Sequence, residues 1–169
     1  VSAAWRPMAP GDLPAVSRIA AAVHPGYPEE DAVLAERLAL FPAGCWMLEG
    51  AGGLLGYAIS HPWHRARPPA LNTRLGALPE NPGTHYVHDV ALLPEARGQG
   101  AAGRLMPLLL EAARGLPELS LVAVGGSVPF WRRQGFQLVD DPALAAKLRS
   151  YDAEARFMAR PAGPPGAAA

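Results

Sequence analysis

The run Arg97-Gly98-Gln99-Gly100-Ala101-Ala102-Gly103 is the part of this chain whose residue types imply chemistry most directly. It follows an apolar stretch ending in Val90-Ala91-Leu92-Leu93-Pro94 and precedes Leu105, Leu108, Leu109 and Ala112, which recur at helical spacing. A helix that opens here leaves its first N–H groups without internal partners, and small residues let the backbone come close to an anion. Those donors and the helix dipole make a phosphate or pyrophosphate site, with Arg97 available for a charge-assisted contact at its mouth. A tight strand–helix turn that binds nothing would use the same residues, so the surroundings must decide. A Walker loop is excluded because no G-K-[ST] follows.

Just upstream, Tyr86-Val87-His88-Asp89 offers a second candidate centre. Strand alternation puts Tyr86 and His88 on one face and Val87 and Asp89 on the other, apart from any local bulge. His88 is a candidate general base, since an imidazole titrates near neutral pH; a histidine filling a hydrogen-bonding position is the alternative. Asp89 orients a neighbour, bonds substrate or is paired in the core. Cys45 starts a strand and reads as a small buried hydrophobe rather than a nucleophile. It is the single cysteine, and His24, His61, His64, His85 and His88 show no H-x-x-x-H or H-E-x-x-H spacing, so no metal site is expected.

The elements that must position these residues follow from periodicity and breakers. Ala3–Met8 is a short strand. Asp12 then stands as an N-cap before Leu13, Val16, Ile19, Ala20 and Val23 at helical spacing. His24-Pro25-Gly26-Tyr27-Pro28 breaks that helix, and Glu29-Glu30-Asp31 opens a second that runs to Phe41. Cys45–Glu49 and Leu54–Ser60 flank a glycine turn and read as a hairpin. His61–Pro82, rich in Pro, Arg and His, is either a functional loop or partly disordered. His85–Leu93 is a strand, Gly98–Arg114 a helix, and Leu119–Val124 a strand apolar on both faces. Val128–Gln134 is a short helix and Phe136–Val139 a short strand. Asp141–Ser150 forms a helical turn and Ala155–Arg160 a final strand. The order predicts one mixed α/β (α+β) domain over residues 1–160, with helices on a mainly antiparallel sheet and residues 161–169 as a disordered tail.

Composition narrows the partners. The chain has 169 residues, half of them apolar, with 15 Lys+Arg against 15 Asp+Glu. That balance gives no basic surface for nucleic acid, so no nucleic-acid partner is expected. The apolar runs are too short to cross a membrane, and no signal-peptide pattern precedes Trp5-Arg6-Pro7, so no membrane partner and a cytoplasmic location are expected. Heavy use of Ala, Pro, Gly and Arg over Lys fits a GC-rich genome, and a bacterial source is expected.

From His85 to Phe136 the chain resembles the GNAT superfamily of acyl-CoA-dependent N-acetyltransferases. Its [Q/R]-x-x-G-x-[G/A] signature is matched by Arg97, Gly100 and Ala102, after the strand end Val90–Pro94. Val124-Gly125-Gly126-Ser127-Val128-Pro129-Phe130-Trp131-Arg132-Arg133-Gln134-Gly135-Phe136 resembles the family's second block. Trp5-Arg6-Pro7 with Asp12-Leu13 resembles its first strand and helix, and Phe157-Met158-Ala159 its last strand.

The resemblance implies a sheet splayed between its fourth and fifth strands, with acetyl-CoA (coenzyme A) as cofactor. Backbone groups of Val90 and Leu92, with Ala91 between, would hold the pantetheine arm. The N–H groups of Gly98, Gln99, Gly100, Ala101, Ala102 and Gly103 would hold the pyrophosphate, flanked by Arg97. Val124, Ser127, Phe130 and Trp131 would line the other side. An amine would attack the thioester directly, with His88 as candidate base and a strand-four N–H polarising the carbonyl. Many members carry tyrosine where Trp131 stands, and an indole N–H cannot protonate a thiolate. Tyr86, Tyr151 and Ser127 are weaker substitutes. The acceptor, a small-molecule amine or a peptide, would meet His24, Tyr27, Trp63 and Asn72. A non-catalytic acyl-CoA-sensing domain and an interaction domain with a decayed site are the rival readings. Homodimers are frequent in the superfamily, though no interface is marked in the sequence.

Overall fold

Apolar residues at helical spacing and a run of half-buried strands sort into one sheet with helices on both faces. The computed structural model describes residues 3–163. Its strands are β1 (Ala4–Pro7), β2 (Cys45–Gly50), β3 (Gly53–Trp63), β4 (Thr84–Leu92), β5 (Glu118–Ala123), β6 (Gln137–Leu138) and β7 (Arg156–Pro161). Its α-helices are α1 (Leu13–Val23), α2 (Asp31–Leu40), α3 (Ala101–Ala112), α4 (Val128–Arg133) and α5 (Ala145–Arg149). The strand order is β1-β2-β3-β4-β5-β7-β6, and all neighbours run antiparallel except β4 and β5, which α3 connects as a parallel pair.

On one face Val16 and Ile19 of α1 and Leu34 and Leu38 of α2 pack over Tyr57, Ile59 and Ala91. On the other, Leu105 and Leu109 of α3 meet Val87, Leu119, Leu121, Trp131 and Phe136. A fully buried leucine of this kind contributes about 1.5–3 kcal/mol. Pro107 lies inside α3 but on its exposed side. Its missing N–H leaves the Gly103 carbonyl without a helical donor where water can reach it.

Several local expectations change in detail. Asp12 holds the N-cap position of α1 without capping it. Its carboxylate instead accepts from Arg6 (Nη1 at 2.8 Å, Nη2 at 2.9 Å) and from the Ala9 N–H (2.8 Å), because a guanidinium fork is the stronger donor. The third helix starts at Ala101 rather than Gly98, since Gly98 and Gly100 sit in the left-handed region (φ +74° and +77°). The second starts at Asp31, which frees Glu29 from it. At the C-terminal end, β7 includes Pro161, and the Ala162 N–H bonds the Pro117 carbonyl at 3.1 Å. Residues 164–169 of the expected tail lie outside the described residues.

The segment 64–83 has no strand or helix, yet it is fixed by α2 and its approach. Asn72 Oδ1 accepts from the Glu30 N–H (2.7 Å), and the Asn72 N–H donates to Glu29 (3.1 Å). Arg37 Nη2 donates to the Thr73 carbonyl (2.9 Å), and Glu36 accepts from the N–H groups of Leu75 (2.6 Å) and Gly76 (3.1 Å). These bonds hold the segment in place, against the partly disordered alternative.

Candidate active site

The left-handed turns at Gly98 and Gly100 raise the backbone into an exposed loop, and Ala101 then buries its methyl beside Ala3, Leu48 and Ala96. The indole of Trp5 anchors the turn by donating to the Ala101 carbonyl at 2.9 Å. The first helical bond runs from the Arg104 N–H to the Gly100 carbonyl, so the N–H groups of Ala101, Ala102 and Gly103 have no helical acceptor. A Cβ at Gly98 or Gly103 would meet nothing within 4 Å, so neither glycine is demanded by packing. Arg97 lies at the mouth, its Nε donating to the Leu92 carbonyl at 3.1 Å, and Arg104 and Gln99 brace the loop through Gln99 O (2.7 Å) and Glu95 O (2.9 Å). Gly98, Gly100 and Gly103 also stand at G-x-G-x-x-G spacing within a parallel β4–α3–β5 unit, which is the local chemistry of a dinucleotide loop.

The strands separate this site from a dinucleotide fold. β4 and β5 pair at His85–Leu119 and Tyr86–Ser120 and then diverge. β4 continues along β3, where the register jumps from Ser60–Val87 to Ile59–Asp89 and leaves His88 as a bulge residue. This overturns the simple alternation: Val87 packs on the α3 side, while Asp89 and Ala91 face α1. Tyr86, His88 and Asp89 therefore all line one pocket. Beyond the bulge, the Leu93 N–H bonds the Leu55 carbonyl (2.8 Å) and Ala91 stands opposite Tyr57. By antiparallel alternation, the backbone groups of Val90 and Leu92 point the other way, into the gap.

The pocket encloses about 490 Å³ including its open mouth and is walled by β4, by Val122 and Val124 after the divergence, and by Pro69–Leu71. Within it His88 Nε2 lies 2.7 Å from Glu29 Oε1, with both side chains more than nine-tenths buried. Burial acts to raise the Glu29 carboxyl, but the hydrogen bond and charge of His88 outweigh it and hold it below its ordinary value. Beside this pair, His24 Nε2 lies 2.9 Å from Asp89 Oδ1, and the Tyr57 hydroxyl donates to the same carboxylate. Burial opposes charge at both members. Their close approach prevails, so His24 is raised and Asp89 is lowered, although the angle at His24 Nε2 is too poor for a hydrogen bond. The pocket thus holds two histidines, each with Nε2 against a carboxylate. Among the described residues no bond is made by Nδ1 of His88, and if Nε2 donates to Glu29, that Nδ1 lone pair can accept a proton.

Other expected residues fall into place unevenly. Tyr27 lines the pocket, its hydroxyl donating to Asp152, whose carboxylate also accepts from the Gly125 N–H at 3.1 Å. Asn72 clasps the approach to α2 instead of facing the pocket. Trp63 is not brought to the site: it ends β3, packs edge-on to His61 and His64, and donates to the Arg67 carbonyl (2.8 Å). Val124 reaches the pocket, and Ser127 occupies the N-cap position of α4. Phe130 is half-buried, whereas Trp131 is 9 % exposed and wedged edge-on between Phe130 and Phe136. Glu29, Tyr57 and Asp152 are the site residues that sequence reasoning passed over, and Tyr151, a weaker candidate proton donor from the sequence, lines the pocket. Glu29 carried one signal, an acidic residue between two prolines and a helix start, which was read as serving the helix dipole.

Comparison with known proteins agrees with this geometry. Residues 13–136 match the Acetyltransferase (GNAT) family, and the chain belongs to it. Among solved structures it resembles the GphF GNAT-like decarboxylase in complex with isobutyryl-CoA, at TM-score 0.70 and 20% identity over 95% of this chain and 100% of that one. It also resembles Ard1 from Thermoplasma volcanium (TM-score 0.70, 18% identity, 95% and 98% covered). A third likeness is to Arabidopsis thaliana Naa50 in complex with the bisubstrate analogue CoA-Ac-MVNAL (TM-score 0.66, 14% identity, 95% and 99% covered). At these identities the likeness concerns the fold. No curated protein matches the sequence significantly.

Proposed function

We propose that this chain is an acetyl-CoA-dependent N-acetyltransferase that passes an acetyl group directly to an amine. The observation that carries this reading is the divergence of β4 and β5, which opens a gap between the helix start at Ala101 and the pocket holding His88 and Glu29. The residues present fit coenzyme A: free N–H groups at Ala101–Gly103 suit a pyrophosphate, and backbone groups of Val90 and Leu92 suit an extended amide-bearing arm. The solved structures with isobutyryl-CoA and CoA-Ac-MVNAL support the same class of ligand.

When bound, the cofactor supplies a thioester carbonyl as electrophile. His88 Nδ1 takes the proton of the attacking amine while Glu29 holds Nε2–H and balances the imidazolium. The proton then carried by His88 is the one a departing thiol needs, and Trp131, buried among aromatic rings, has no part in the exchange. His24 and Asp89 keep a paired charge beside the amine. A cytoplasmic enzyme is the accompanying proposal. The test is acetyl-CoA with a set of amines, following acetylated product and released thiol together. Equal amounts of both support the reading; thiol without acetylated amine, or no binding of acetyl-CoA, contradicts it.

A further inference from the structure

Resting on the acetyl-transfer reading, we propose that the acceptor is a small primary amine with a compact apolar body, enclosed by a latch of two adjacent residues, Tyr151 and Asp152, that shuts out peptides. The latch joins the loops around the pocket. The Tyr151 hydroxyl donates to the Pro69 carbonyl of the segment 64–83, and its side chain lines the pocket beside Tyr86 of β4. The Asp152 carboxylate accepts from the Tyr27 hydroxyl, between α1 and α2, and from the Gly125 N–H, between β5 and α4. The Glu154 N–H, at 2.6 Å, holds that carboxylate from behind. An extended peptide attached to the reacting amine has to pass between these loops, and the latch bonds them to one another.

The enclosed chemistry points to the same class. Pro69, Ala70, Leu71, Val122 and Val124 give the interior an apolar wall, and the same space, less than the 490 Å³ that counts its open mouth, must also hold the thioester end. A carboxylate on the acceptor finds no unpaired cation among the described residues that line the pocket. His88 faces Glu29 and His24 faces Asp89. Arg37 is fully buried and donates through Nη2 to Thr73 while its Nε and Nη1 have no partner among the described residues, but it does not line the pocket. Glu29 and Asp89 would repel such an acceptor, and desolvating its charge adds to the cost.

The experiment compares kcat/KM of the full chain with acetyl-CoA across propylamine, benzylamine, phenethylamine, phenylalanine and a tetrapeptide with a free amino terminus. The best monoamine is expected to exceed phenylalanine by about ten-fold and the tetrapeptide by about a hundred-fold. A Tyr151→Phe/Asp152→Ala variant that still binds acetyl-CoA is expected to raise the peptide-to-monoamine ratio by about ten-fold. If that variant does not fold, the wild-type ranking decides alone. A peptide or phenylalanine used as well as the monoamines overturns the proposal while acetyl transfer stands. An unchanged ratio in a folded variant overturns the latch. Acetyl-CoA binding with no acceptor used overturns both this proposal and the acetyl-transfer reading.

Discussion

His88 and Glu29 lie 59 positions apart in sequence, yet His88 Nε2 meets Glu29 Oε1 at 2.7 Å in a pocket wall. Two separate features bring them together: the bulge that displaces His88 from the β3 ladder, and the delayed start of α2 at Asp31. His88→Gln is expected to lower kcat by about 10²-fold or more while leaving acetyl-CoA affinity unchanged, because the base is lost and the cofactor loop is not touched. Glu29→Gln keeps an acceptor but removes the charge, and is expected to cost about ten-fold or more in kcat. Steady-state kinetics beside calorimetric titration of acetyl-CoA checks both; full turnover in H88Q removes His88 as the base.

Ala102 separates a binding loop from a mere turn. An acidic residue in the first turn of a helix stabilises it by about 0.3–1 kcal/mol. Ala102→Glu is therefore expected to raise the melting temperature slightly without ligand. Its carboxylate would sit where the pyrophosphate belongs, so acetyl-CoA affinity should fall by about ten-fold or more. Thermal shift with and without acetyl-CoA reads both signs at once. Unchanged affinity would mean that the helix start is no phosphate site.

Two buried histidines that do not line the pocket are expected to weaken the fold in acid. His61 and His85 are fully buried, and burial pushes their pKa values down to about 3 and about 4. Ser60 Oγ donates to the Gly44 carbonyl, so His85 Nε2–H must donate to Ser60, leaving Nδ1 as an unpartnered acceptor. Both residues stay neutral in the folded chain while an unfolded chain binds protons below about pH 6.5. Their stabilising contribution is complete above that pH and is lost as pH falls towards the folded values. Each proton adds a slope of about 1.4 kcal/mol per pH unit between about pH 6 and pH 4.5. Urea denaturation across that window, in wild type and in His85→Asn, should show the slope decrease by one proton. An identical slope contradicts the assignment to His85.

The fold was largely legible because its signals are local. Helical spacing in α1 and α3, the glycine turn before β3 and the small residues before Ala101 each depend on neighbours in sequence. The gap between β4 and β5 was readable through family resemblance. Periodicity alone presented Leu119–Val124 as a strand buried on both faces, and Val122 and Val124 instead line the pocket. The bulge at His88 carries no composition signal, so strand alternation placed Asp89 on the wrong side relative to His88. Glu29 and Asp152 were passed over, and the bond of Tyr151 to Pro69 was not foreseen, because these roles depend on loops that meet only after folding. Trp63 was overvalued: an aromatic residue in a polar loop suggested a substrate wall, but it packs against its own strand end and loop.

The most direct measurement is a single-turnover comparison of wild type and H88Q, each loaded with radiolabelled acetyl-CoA and mixed with benzylamine. Label should pass to the amine in wild type with one thiol released per acetyl group, while H88Q retains the label on bound cofactor about 10²-fold longer. Thiol release without labelled amine, or equal rates in the two proteins, would contradict acetyl transfer through His88.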